Sequence, residues 1–532
     1  CLSYVRCGRR TSHAESEDLV VVANDALNAL KAMILALQPA RSFHSLRLRE
    51  RSAGDLVWSR VASRAHYSQF MQAATAQVEK DIWLANAARV SSVIAPLFAP
   101  LRESALQQLE TLHFPNKREE PWRQFDLSKL KAAHIVAPTP THYDTLSALL
   151  GDYSDDASSG MRLVVVDGMY NATLSDLSAL PPDVFVGSLL EASGDVLEGL
   201  LESLQRNLPE AEADSRTALG CHTFAALNHA SLSDAIGVWV PPGINLTKPL
   251  HIVILATSAG DEDDTSFPAS HPNLVVSLGN NASLRMLQQY AGKGSYFVNG
   301  LSRFEIGRGA SFKHYYLQEQ SDKAFHIDSV IVDVDREAVY ENSLLQTGGI
   351  NARVNLQVNL NDDFASASLK GLTIANERQV IDAHTAMFHG AGNCTSKQEH
   401  RNAVGDRAKA VFRGTIMVPE GSDNTVANQL ARTLLLTDDA RADVSPCLLI
   451  DTDEVECSHG ATISDMDDEM VLYLQARGLS PIEARTLLLK GWADSALGDV
   501  PALLTRKHVE EKALAMSIPL SGDLRGKDLS SI

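Results

Sequence analysis

Asn280-Asn281-Ala282, Arg308-Gly309-Ala310, Arg336-Glu337-Ala338 and Asp362-Asp363-Phe364-Ala365 decide the fold. Each is a polar turn that runs into alanine and then into a strand-like alternation. The alanines stand 28, 28 and 27 residues apart. A near-constant period of this size marks a unit that cannot bury its own apolar face and stacks on copies of itself. Short period-2 runs surround these turns from Val238 onward, at 250–255, 274–278, 312–317, 329–334, 354–360 and 410–418. Gly, Asn and Asp separate them, as expected of short strands. No long helical segment intervenes, so leucine-rich and ankyrin repeats do not fit. The expected class is mainly β, a β-helix or β-solenoid, with a β-sandwich as the competing arrangement. Looser copies at Asp406-Arg407-Ala408 and Asp438-Asp439-Ala440 extend the series.

On either side the texture changes. The 532 residues divide into a leader (1–66), an N-terminal helical and mixed region (67–215), the β-helix core (216–462) and a C-terminal helical region with a tail (463–532). Residues 73–94 are Ala-rich without Gly or Pro. Leu101, Leu106, Leu109 and Leu112 form one stripe at helical spacing, read as core. Residues 195–208 also read as helix. After the core, 466–477 is a helix candidate stopped by Gly478, a residue suited to a left-handed C-terminal end. Ser480-Pro481-Ile482-Glu483 then opens a second helix, expected to reach 496. Ser caps, Pro fits the first helical position, and Glu reaches back to the cap N–H.

The bulk numbers exclude some functions. Lys plus Arg total 47 against 66 Asp plus Glu, a net charge of −19. Affinity for a phosphate backbone comes from Lys and Arg, so nucleic acid is not an expected partner. An anionic membrane surface is disfavoured on the same ground, and no run is clean enough to span a bilayer. Six widely spaced cysteines (1, 7, 221, 394, 447, 457) do not resemble a disulfide framework and suit a reducing compartment. Residues 41–66 hold six Arg against Glu50 and Asp55. That composition resembles an organellar transit peptide, with a tail of no function as the alternative.

Candidate chemistry gathers in Cys457-Ser458-His459-Gly460-Ala461-Thr462, after Asp451, Asp453, Glu454 and Glu456. If this run is a strand, residues two apart share a face, so Cys457 and His459 point together. Thiolate and imidazole favour iron, zinc or copper over magnesium or calcium. Zinc and iron–sulfur centres need about four ligands, so two donors are either half of a shared site or a buried Cys beside a satisfied His. His384, His389, Cys394 and His400 form a second ligand-like group. The odd spacing of His384 and His389 puts them on opposite faces of a strand, which disfavours a single site. Surface histidines on a turn are the plainer reading. Asp362-Asp363 reads as a solvated turn. Walker, dinucleotide-binding, zinc-protease and nucleophile-elbow motifs are all missing, so no nucleotide is expected on this chain.

Several segments together resemble the SufB/SufD family of iron–sulfur cluster assembly proteins. They are Arg118-Glu119-Glu120-Pro121-Trp122-Arg123, Phe224-Ala225-Ala226-Leu227-Asn228, His389 with Cys394-Thr395-Ser396-Lys397-Gln398, 406–414, and Cys457 to Thr462 with Asp467-Asp468-Glu469. The last pairing looks like the SufD branch. Trp122-Arg123-Gln124-Phe125 departs from the family's Trp-Lys-Tyr-Thr.

The resemblance implies a right-handed parallel β-helix with flanking helices, acting as a non-catalytic scaffold. It implies a SufB-like partner and a SufC-like ATPase that docks on the C-terminal helices and supplies ATP hydrolysis. It maps a cluster-holding histidine onto His459, with Cys457 at the matching cysteine. The cluster is then transient and shared between subunits. The leader and the family together suggest a plastid stroma. A SufB-like sulfur-accepting scaffold and a β-helix enzyme acting on polysaccharides are the alternatives.

Overall fold

A computed structural model describes residues 83–88, 95–151, 159–206, 219–257 and 266–497. The leader, Cys1, Cys7, most of the helix expected over 73–94 and the tail beyond 497 lie outside the described residues. Residues 83–88 are helical.

From Asn273 to Asp465 the chain winds as a parallel β-solenoid of about seven turns. Each turn gives one strand to each of two sheets. One sheet stacks Asn273–Leu278, Phe297–Ile306, Phe325–Val334, Asn351–Leu360, Val380–His389, Lys409–Val418 and Arg441–Ile450. The other stacks Ser283–Gly292, Ser311–Gln318, Val339–Gln346, Ser366–Ala375, Thr395–Val404, Thr425–Leu435 and Val455–Asp465. Pairing is parallel and displaced by one coil, as in Ser283↔Ser311, Ser311↔Val339 and Val339↔Ser366. This pairing rules out the sandwich, in which antiparallel strands would meet.

The repeated alanines have a steric cause. Ala282, Ala310, Ala338 and Ala365 lie in one corner column and are buried. Before each stands a residue with left-handed backbone: Asn281 (φ 57°), Gly309 (66°), Glu337 (58°) and Phe364 (63°). That conformation folds the corner tightly and costs a non-glycine residue roughly 1–2 kcal/mol. The following side chain then enters the core where little room is left. Asn393-Cys394 and Asn424-Thr425 continue the same column, with φ 57° at both asparagines.

The two looser copies belong elsewhere. Asp406-Arg407-Ala408 and Asp438-Asp439-Ala440 lie in the opposite corner, where the chain returns from the second sheet to the first. Both corners need a turn followed by a small residue, so they look alike in sequence. Their irregular spacing also reflects longer late coils, with Val380↔Lys409 and Lys409↔Arg441 in register across 29 and 32 residues.

The solenoid interior is one long, mainly apolar core crossed by buried polar side chains, and the flanking regions cover its outer faces. The leucine stripe over 101–112 is only partly core. The helix is Ala99–Thr111, its buried residues are Arg102, Ala105 and Leu109, and Leu106 is exposed. Arg102 takes the central place because its Nη1 donates to the carbonyl of Leu232 at 2.7 Å.

At the other end Asp467 caps the helix Asp468–Gln475 by accepting from the N–H of Glu469 at 2.9 Å. Gly478 then turns the chain with φ 99°. Ser480 and Glu483 satisfy each other's backbone N–H groups, opening the helix Pro481–Leu497. Ala493 and Ala496 pack on Leu287, Tyr315, Leu317 and Leu345 of the second sheet. The Arg401 guanidinium lies 5.0 Å from the Trp492 ring centroid and bonds the Trp492 carbonyl. Among the described residues no helix is long and apolar enough to cross a membrane.

Candidate functional site

Val455–Asp465 is the last strand of the second sheet, and among the described residues no further coil pairs with its outer edge. Asp451, Asp453 and Glu454 form the corner before it, so only the residues from Val455 onward carry strand alternation. Register places Cys457 beside Ala427 and His459 beside Gln429. Ala427 and Gln429 are buried inward residues of the preceding coil. Cys457 and His459 therefore share the inward face, as their spacing predicts. The half-buried Cys457 packs with Val444, Leu448 and Val455 at the end of the core, while His459 is exposed. The reason is position: an inward residue on the terminal coil has a neighbour on one side only.

Burial pushes the Cys457 thiol above its ordinary value of 9.0, opposed by the Ala427 N–H. The sulfur is then S–H at neutral pH. A metal that takes it as thiolate must expel a proton, so binding strengthens as pH rises. Among the described residues no three His, Cys, Asp or Glu side chains are grouped to hold a metal ion. Cys447 adds nothing to the pair, because it alternates with the inward Val444 and Leu448 and faces the other way. The terminal coil thus offers two donors of the soft-and-imidazole type at an open end.

The second ligand-like group is taken apart by the fold. His384 and His389 do lie on opposite faces of Val380–His389, but neither is a surface residue. His384 Nε2 lies 3.1 Å from Asp382 Oδ1, and its Nδ1 lies 2.9 Å from Arg353 Nη2, beneath the N-terminal region. His389 points inward, with Nε2 2.9 Å from Ser396 Oγ, and burial pushes it down to about 4. His400 stacks on Phe412 at 4.7 Å and lies 3.1 Å from Thr373 Oγ1. The Cys394 thiol lies in the corner column, 3.4 Å from the Asp362 carbonyl, and burial raises its pKa. All four belong to one coil, but His384 faces outward and the other three are held by separate partners in the interior and its corner. Asp362 and Asp363 sit in an exposed corner near Arg336, as a solvated turn should.

One polar element of the terminal coils gave no sequence signal. Gln398 and Gln429 are glutamines inside the solenoid, joined to each other and to Thr385. Only the register reveals that this line stops beneath His459.

Residues 258–492 match a family model described as the SUF system FeS cluster assembly SufBD core domain, and residues 74–252 match the SufBD protein N-terminal region. The chain is 31% identical over 440 residues to an iron–sulfur cluster assembly SufBD family protein, slr0076, of Synechocystis sp., covering 80% of this chain and 92% of that protein. It is 26% identical over 405 residues to protein ABCI7, chloroplastic, of Arabidopsis thaliana (75% and 82% covered). Iron–sulfur cluster assembly protein SufD of Escherichia coli is likewise 26% identical over 405 residues (74% and 87% covered).

Proposed function

Because the chain belongs to the SufBD family of iron–sulfur cluster assembly proteins, we propose that it is a SufD-like, non-catalytic scaffold whose open terminal coil carries half of a cluster-holding site. The observation that carries this reading is the pairing of Cys457 and His459 on one inward face of a coil on which, among the described residues, no other coil stacks. Two donors cannot close an iron–sulfur coordination sphere. A SufB-like subunit docked on this end supplies the remaining ligands. The cluster is cargo, held by few bonds on each side and so released when the subunits part. His459 is the principal ligand from this chain, and Cys457 is its neighbour.

The buried thiols favour this role over a sulfur-accepting one. Cys221 is pushed up to about 11 by burial, and Cys394 is raised as well. A sulfur acceptor works as an accessible thiolate. The likeness to a chloroplastic relative and the Arg-rich leader support a plastid stroma.

In a complex reconstituted with a SufB-like and a SufC-like subunit, His459→Ala is expected to lower bound iron and sulfide at least severalfold while the subunits still co-purify. Unchanged iron and sulfide would remove His459 from the site.

The same proposal assigns the terminal helices to a SufC-like ATPase. One face of Pro481–Leu497 packs on the solenoid, but Met470, Leu472, Tyr473, Ile482 and Leu487 stay exposed across the two helices. Leu488→Pro breaks the second helix at a cost of roughly 3 kcal/mol and is expected to abolish capture of the ATPase. Leu487→Asp makes the cleaner test, since Leu487 is 50% exposed and its loss leaves the packed face alone. It should weaken capture at least tenfold with an unchanged melting curve. Undiminished co-purification of both variants would refute the dock.

A further inference from the structure

A line of buried side-chain amides ends beneath the open coil. Gln398 Nε2 donates to Thr385 Oγ1 at 2.7 Å, and Gln429 Nε2 donates to Gln398 Oε1 at 2.8 Å. All three residues are buried. Gln429 gives one N–H to Gln398, and the buried atom it leaves unmet is its oxygen. That Oε1 is buried and has no hydrogen-bond partner among the described residues. Leaving a buried acceptor unmet costs about 1–3 kcal/mol, so such atoms are rare without a reason.

The surroundings are shaped around this amide. A Cβ at Gly414 would lie 2.2 Å from Gln429 Nε2 and 2.9 Å from its Cδ. Gly414 is therefore the space that Gln429 occupies. On its other side, one coil on, the residue in register is His459. Neighbouring strands are about 4.8 Å apart, well within reach of the exposed His459 imidazole.

We infer that Gln429 is a positioning residue for His459: its Oε1 accepts one ring N–H of His459 and so turns the other ring nitrogen, with its lone pair, away from the core toward the cargo. A neutral imidazole has one N–H and one lone pair, and the partner of the N–H decides which nitrogen can ligate. Ligating histidines nearly always make such an outer bond. The positioning is a property of this chain. Its use in holding a cluster rests on the proposed function above.

The test is the ring tautomer of His459 in the chain labelled with ring-15N histidine, its signals assigned by their loss in His459→Ala. Wild type is expected to show one dominant tautomer. Gln429→Leu should give a mixture, and so should Gly414→Ala, which displaces the amide without removing it. Gln429→Glu keeps the acceptor and should restore one tautomer. In the reconstituted complex Gln429→Leu should weaken iron retention about tenfold, the lower end for loss of an outer-shell partner. A tautomer ratio unmoved by both Gln429→Leu and Gly414→Ala overturns the inference, even if His459→Ala empties the complex. If Gln429→Leu shifts the tautomer but His459→Ala leaves iron unchanged, the positioning stands and the ligand reading fails.

Discussion

Arg353→Met is expected to destabilise the protein by about 3–5 kcal/mol, the cost of removing one partner of a buried ion pair. Arg353 is fully buried on the outer face of the first sheet. Its Nη1 donates to the Pro121 carbonyl, its Nη2 to the Leu219 carbonyl at 2.6 Å, and its Nε to Asn355 Oδ1 at 2.9 Å. The guanidinium lies 4.0 Å from the Trp122 ring centroid and 3.3 Å from Asp382. One side chain thus clamps two N-terminal segments onto the solenoid.

Methionine fills much of the volume but leaves Asp382 without the guanidinium that faces it. Burial alone would raise the Asp382 carboxyl, yet His384 and Arg353 beside it hold it below its usual range. Adding Asp382→Asn to Arg353→Met should therefore recover a good part of the loss. Urea denaturation of the single and double variants measures both effects. A single variant within 1 kcal/mol of wild type, on the order of an ordinary surface change, would show that the clamp does not hold the N-terminal region.

How much of this was legible in the sequence follows from contact range. The alanine spacing was readable because strands in register recur at a nearly fixed interval, and the left-handed corner forces a small residue after it. The terminal helices were readable because Ser480, Glu483 and Gly478 act within a few residues of themselves. The shared face of Cys457 and His459 followed from local alternation.

Arg353 was not readable, since its bond to Pro121 spans 232 residues and no local pattern encodes it. The same holds for Gln429, an apparently ordinary polar residue until the register sets it under His459. The histidines of the second cluster were misplaced for a related reason. A polar residue in a solenoid core is tolerated when a neighbouring coil supplies its partner, and that partner sits a full period away in sequence, as with His314 and Tyr340.

Those interior histidines make the fold acid-labile. Burial pushes His229, His271, His314 and His326 down to about 3, and His389 and His400 to about 4. Unfolded histidine titrates near 6.5. The unfolded chain therefore binds more protons than the folded chain below that pH. Stability is fully present above pH 6.5 and is lost as pH falls toward 4 and 3. At pH 5 each such histidine forfeits about 2 kcal/mol. Asp167 works the other way: burial raises it to about 6, so it gains stability as pH falls through that value, by about 1.4 kcal/mol at pH 5.

Six histidines against Asp167 amount to about 11 kcal/mol at pH 5, within the about 5–15 kcal/mol that a domain usually holds in reserve. The expected result is cooperative unfolding with a midpoint near pH 5, roughly where the summed penalty meets that reserve. Tryptophan fluorescence against pH gives the midpoint, and unfolding in weakly buffered solution at pH 5 gives the proton uptake. Uptake should be several protons per chain, the six histidines gained outweighing the carboxyls that burial raises. His314→Gln removes one titrating group and should lower both the uptake and the midpoint. Uptake below one proton would mean that these imidazoles are charged, or solvated, in the folded solenoid.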